Sequence, residues 1–112
     1  MLTNLDNAEH YLWGSGCDGW HLLKSDSLSI IYERMPPGTQ EARHLHNKAQ
    51  QFFFVLSGEA ALELDGKEFV MREREGTHVA AGKPHQIFNR SQADVFFMVI
   101  SQPPSHGDRV NV

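Results

Sequence analysis

The sequence predicts a single, mainly antiparallel all-β domain, and three observations carry that expectation. Apolar residues recur with period two or in short continuous β-rich runs. Gly, Pro, Asp and Asn fall regularly between these runs, and almost no stretch has the spacing of a helix. At 112 residues the chain suits one hydrophobic core and leaves little for a second.

Taken in order, the predicted strands begin with a weak one at 20–24 (WHLLK) and a stronger one at 28–35 (LSIIYERM). Further strands follow at 51–57 (QFFFVLS), 60–64 (AALEL), 67–71 (KEFVM), 77–80, 85–89 (HQIFN) and 94–101 (DVFFMVIS). Asp65-Gly66 between two of these runs supplies the positive φ angles of a two-residue type I′ turn, so residues 60–71 are expected to form a hairpin. Pro36-Pro37-Gly38 and Gly82-Lys83-Pro84 interrupt strands on either side of a histidine pair, because proline cannot donate to a ladder and glycine permits a sharp bend. Seven or more short strands at this spacing suggest a sandwich or closed barrel. The expected organisation is one domain over 1–112, with N-terminal strands at about 10–35, a barrel at about 36–101 and a tail at 102–112.

Hydrophobic residues make up 40% of the chain and charged residues 21%, ordinary soluble usage. The formal charge is −4 and the ten Lys and Arg are scattered, so no basic stripe exists for nucleic acid. No apolar run is long enough to span a bilayer, and residues 1–12 lack the features of a secretory signal. Cys17, the only cysteine, allows neither an internal disulfide nor a thiol metal cluster, and a cytoplasmic location is expected. In its glycine-rich neighbourhood it reads as a plain loop thiol.

His44 and His46 are two residues apart, a spacing that puts both imidazoles on one face of a strand where they can chelate one ion. His85 opens another strand after the Gly-Lys-Pro turn and is expected to close the site from across the barrel. If Gln51 points inward, Phe53 and Val55 share its face while Phe52, Phe54 and Leu56 pack behind. A one-residue slip would substitute Gln50 and turn Phe52 and Phe54 inward, so Gln51 is preferred. Neutral imidazole suits zinc, copper, iron and nickel alike.

Residues 37–58 (PGTQEARHLHNKAQQFFFVLSG) resemble the first signature of the cupin family, with Gly38, His44, His46, Gln51 and Gly58 on its positions. Residues 80–89 (AAGKPHQIFN) resemble the second, matched by Gly82, His85 and Asn89. The resemblance implies a double-stranded β-helix, or jelly-roll barrel, with the metal on its inner face and commonly a homodimer. It implies one divalent metal ion held by His44, His46 and His85 with Gln51 at a fourth position; Fe, Ni, Zn, Mn and Cu are not distinguished. Ala80 replaces the signature proline, and Arg74 stands where a glycine usually opens the second signature, with Gly76 two residues later.

Gln51 stands where the family usually has Glu, and a Gln amide coordinates through its carbonyl oxygen without bringing negative charge. The site would carry one more positive charge, acidify a bound water further and favour an anionic ligand. Two readings of Gln51 stay open: a direct ligand, or a group that orders a water or a neighbouring histidine.

His78 is an exposed histidine held as a reserve ligand. Tyr11, Trp13 and Trp20 are expected in ordinary core packing, with a pocket mouth or dimer seam as the alternative. Asp94, Asp108 and the glutamates read as solvated surface. The tail Pro103–Arg109 resembles the ending of some small cupins, which suggests docking over the barrel or onto a partner chain, against a frayed terminus. Two functions follow. One is an enzyme, a three-His dioxygenase or a metal-assisted isomerase or lyase acting on a small organic molecule. The other is a non-catalytic module that binds a small molecule or the metal. No motif places a carboxylate or tyrosine beside the metal as a general base.

Overall fold

The computed structural model describes residues 1–112 and contains eleven β-strands and no α-helix. The strands are β1 (Glu9–Trp13), β2 (Cys17–Lys24), β3 (Ser29–Met35), β4 (His44–His46), β5 (Gln50–Ser57) and β6 (Ala60–Leu64). They continue with β7 (Lys67–Met71), β8 (Gly76–Val79), β9 (His85–Phe88), β10 (Val95–Gln102) and β11 (Arg109–Asn111). Two antiparallel sheets result, ordered β1-β2-β3-β10-β5-β8 and β11-β4-β9-β6-β7. No helix is long and apolar enough to cross a membrane.

The alternation read from the sequence sets which residues enter the core. Along β10, Val95, Phe97, Val99 and Ser101 point inward, while Phe96, Met98 and Ile100 lie on the other face and are only half-buried. Its partner β5 turns Gln51, Phe53 and Val55 inward and leaves Phe52 and Leu56 exposed, the register preferred from the sequence. These side chains meet Leu62, Met71 and Ile87 of the facing sheet in one apolar cluster with Met35, Val79 and Cys17. Cys17 is thus no loop thiol. It opens β2 fully buried, and burial raises its thiol pKa.

The β6–β7 hairpin turns at Asp65 (φ 50°) and Gly66 (φ 92°), both positive as a type I′ turn requires. Asn89 ties three segments together. Its side-chain amide donates to the carbonyls of Met35 and Ala93, both at 2.8 Å, and its Oδ1 accepts from the backbone and hydroxyl of Ser91.

Strands β1, β4 and β11 carry no strong pattern of their own and exist through their neighbours. The C-terminal tail is not frayed: β11 pairs with β4, Arg109 opposite His46 and Asn111 opposite His44. Asp108 is no solvated surface acid, since its carboxylate accepts the backbone N–H groups of Asn47, Lys48 and Ala49 at 2.9–3.0 Å. Those bonds hold its pKa below the usual carboxylate range. Asp94 likewise receives Arg34 Nε at 2.9 Å.

Candidate metal centre

Short β4 presents His44 and His46 on its inner face, as two-residue spacing on a strand dictates. His85 comes from the adjacent antiparallel strand, with its Cα directly opposite His44. This corrects the expectation that His85 reaches in from across the barrel. The Gly82 amide donates to the His46 carbonyl at 2.7 Å and anchors the turn before β9 beside β4, so all three histidines share one sheet. Gln51, on β5, faces them from the other sheet together with Phe53.

One nitrogen from each of the three imidazoles lies within 4.8 Å of the others, and all three residues are buried. The His44 Nδ1 donates to the Ala42 carbonyl at 2.8 Å and the His85 Nδ1 to the Lys83 carbonyl at 3.0 Å. A carbonyl can only accept, so each Nδ1 carries the proton and each Nε2 keeps its lone pair. His85 Nε2 and His46 Nδ1 are buried without any hydrogen-bond partner. Burial lowers all three pKa values, that of His44 to about 3 even though its bond to Ala42 opposes the shift. Three neutral, buried imidazoles packed with one nitrogen of each within 4.8 Å of the others are a costly arrangement unless something electron-accepting sits between them. The three histidines therefore fit a metal ion and can hold one.

Gln51 donates its Nε2 to Ser101 Oγ at 3.0 Å, which leaves Oε1 buried with no partner. Gln50 faces away and pairs with the exposed His78 at 2.9 Å, so neither belongs to the centre. Phe53 sets its ring edge against His85 at 5.9 Å between centroids.

His44, His46 and Gln51 line a cavity of about 280 Å³ whose wall also includes Tyr11, Trp13, Glu33, Glu41, Phe53 and Arg109. Glu33 and Glu41, expected on the solvated surface, line the cavity half-buried, and desolvation pushes both carboxyls up to about 8. The charge of Glu41 adds to the rise at Glu33, whereas Arg109 opposes the rise at Glu41. Glu33 was in principle legible, since it alternates with Ile31 and Met35 on the inner face of β3. Glu41 lies between strands, Tyr11 on an unpredicted strand and Arg109 in the tail, and none carries a local signal. Tyr11 and Trp13 line the cavity, while Trp20 turns to the opposite face and packs edge-on against Tyr32.

Comparison with known proteins agrees with this architecture. An uncharacterized protein of Methanocaldococcus jannaschii is 24% identical over 114 residues, covering 96% of this chain and 91% of that protein. The oxalate-binding protein of Thermotoga maritima is 25% identical over 85 residues, covering 71% of this chain and 70% of that protein. The crystal structure of a sugar phosphate isomerase from Silicibacter pomeroyi superposes with a TM-score of 0.81 at 24% identity, over 93% of this chain and 76% of that one. The family model described as a cupin domain matches residues 31–101, a span that runs from β3 to β10 and contains both histidine-bearing segments. The double-stranded β-helix, the inward histidines and this match agree, and the chain belongs to the cupin superfamily.

Proposed function

We propose that this protein binds one divalent metal ion through His44, His46 and His85, with Gln51 Oε1 as a fourth ligand, and takes a small organic anion into the adjoining cavity. The observation that carries the reading is the convergence of three buried imidazoles, one nitrogen of each within 4.8 Å of the others, with His85 Nε2 and Gln51 Oε1 buried and unpartnered. A bound divalent ion would supply Lewis-acid polarisation of a ligand oxygen. The chain's own residues do the rest. Phe53 and Trp13 limit bulk water in the cavity, and the Arg109 guanidinium on its wall favours a negatively charged ligand. Gln51 adds no negative charge to offset the ion, which strengthens that preference.

Reaction on the ligand, as an isomerase, lyase or dioxygenase, is the first reading. A binding role without turnover is the second, favoured by the likeness to a protein named for binding oxalate. The lone, buried Cys17 suits a reducing, cytoplasmic setting. A homodimer is supported by the outer face of the six-stranded sheet, where Phe52 and Leu56 are exposed beside half-buried Phe54, Met98 and Ile100. Sedimentation of the purified chain tests that state.

Elemental analysis of protein purified without chelators, followed by titration of the metal-stripped chain with Fe, Ni, Zn, Mn and Cu, tests the centre. About one ion per chain is expected, and binding that survives loss of all three imidazoles would refute the assignment. Dioxygen uptake and calorimetry of the loaded protein over small carbonyl and thiol acids then separate turnover from binding.

A further inference from the structure

The proposed centre does not account for the two glutamates on the cavity wall. Both line the cavity with His44 and His46, and neither joins any of the chain's salt bridges. Glu41 Oε1 is buried without a hydrogen-bond partner. Placing two acids in one cavity outside any ion pair, with only the charge of Arg109 opposing the rise at Glu41, costs stability, and at a ligand cavity that cost is commonly retained for chemistry.

A third residue belongs to the same wall. Tyr11, Gly19, Glu33 and Phe97 form one row across β1, β2, β3 and β10. Gly19 is the gap in that row. A Cβ placed there would overlap the Tyr11 ring and stand 2.5 Å from its hydroxyl oxygen, so the ring lies over the glycine and directs its hydroxyl along the row toward Glu33. The charge of Glu33 acts on the Tyr11 hydroxyl and, with burial, raises its pKa.

Resting on the metal-and-anion reading above, we propose that Glu33 and Glu41 are the catalytic acid and base of this cavity, that Tyr11 positions Glu33, and that the substrate is a small carbonyl compound undergoing proton transfer at the carbon beside its carbonyl. One carboxylate takes the carbon-bound proton as the bonding pair moves into the adjoining carbon–carbon bond. The other carboxyl gives its proton to the carbonyl oxygen. Return of a proton to the same carbon, as the oxygen-bound proton goes back to the second carboxylate and the carbonyl re-forms, completes an enolisation cycle in which protons and electrons balance without oxidant or reductant. The cavity lies at the small end of ligand-pocket volumes, which suits a substrate of few carbons.

The test follows exchange of carbon-bound hydrogen for deuterium by proton NMR in deuterated buffer. The probes are pyruvate, 2-oxobutyrate and dihydroxyacetone, with zinc-loaded and nickel-loaded protein. Exchange by the wild type is expected on at least one probe. Glu33→Gln and Glu41→Gln, which preserve side-chain size, should each slow it by about a hundredfold or more with metal content unchanged. Tyr11→Phe and Gly19→Ala should act alike, shifting the pH profile of exchange with a smaller loss of rate. Wild-type exchange that persists in both Gln variants would overturn the assignment of the carboxyls. A loaded wild type that exchanges none of the probes would overturn proton transfer while leaving the metal centre standing. A protein that binds neither metal would instead refute the centre itself.

Discussion

Replacing Gln51 with Glu probes the centre most directly. The side chain keeps its length, and Ser101, which now accepts from the Gln51 amide at 3.0 Å, can turn its hydroxyl to donate. The change therefore places one negative charge on an atom pair of which Oε1 already lies buried and unpartnered. A unit charge and a divalent ion about 4 Å apart attract by roughly 8 kcal/mol at an effective dielectric near 20. Burying the new carboxylate offsets part of that gain. A net gain of about 1.4–2.8 kcal/mol corresponds to roughly tenfold to hundredfold tighter metal binding. Competition for zinc against a chromophoric chelator measures it. Without metal the same substitution should lower the melting temperature, because position 51 is buried and the new carboxylate gains no cation there. An affinity unchanged from wild type would mean that this side chain never touches the ion.

His46→Ala should strip most metal yet leave a β-rich circular dichroism spectrum, because the core around Met35, Val55, Leu62 and Phe97 is apolar; loss of folding would make the ion structural. Asn89→Ala removes bonds to Met35, Ser91 and Ala93 and should cost roughly 2–4 kcal/mol in urea unfolding, and a loss below about 0.5 kcal/mol would contradict its tying role. In the metal-free protein, Glu33 and Glu41 keep their protons to about 8, whereas the unfolded chain releases them near 4.5. Their contribution to stability therefore falls as pH rises from about 4.5 and levels off above about 8. His44, held down to about 3, contributes the opposite slope only below 6.5. The melting temperature should thus drop between pH 6.5 and 8, and Glu33→Gln or Glu41→Gln should flatten the drop; an unaltered slope in both would place the ionisation elsewhere.

The sequence by itself determined the all-β class, the Asp65-Gly66 hairpin, the inward register of Gln51, Phe53 and Val55, and the three histidines. Each rests on information carried within a few residues: a period of two, a turn dipeptide with its required φ angles, a His-x-His spacing. What lacked a local signal came only from the tertiary structure. Strand β11 forms because β4 offers an unpaired edge and Asp108 finds three free backbone amides there. His85 sits beside His44 in one sheet through the pairing of β4 with β9, a register no single strand encodes. Glu41 looks like any surface acid in the written order, and although alternation puts Glu33 on the inner face of β3, only the cavity packed around both decides how they titrate. Desolvation depends on everything packed around a group, whereas periodicity depends on its nearest neighbours in the chain.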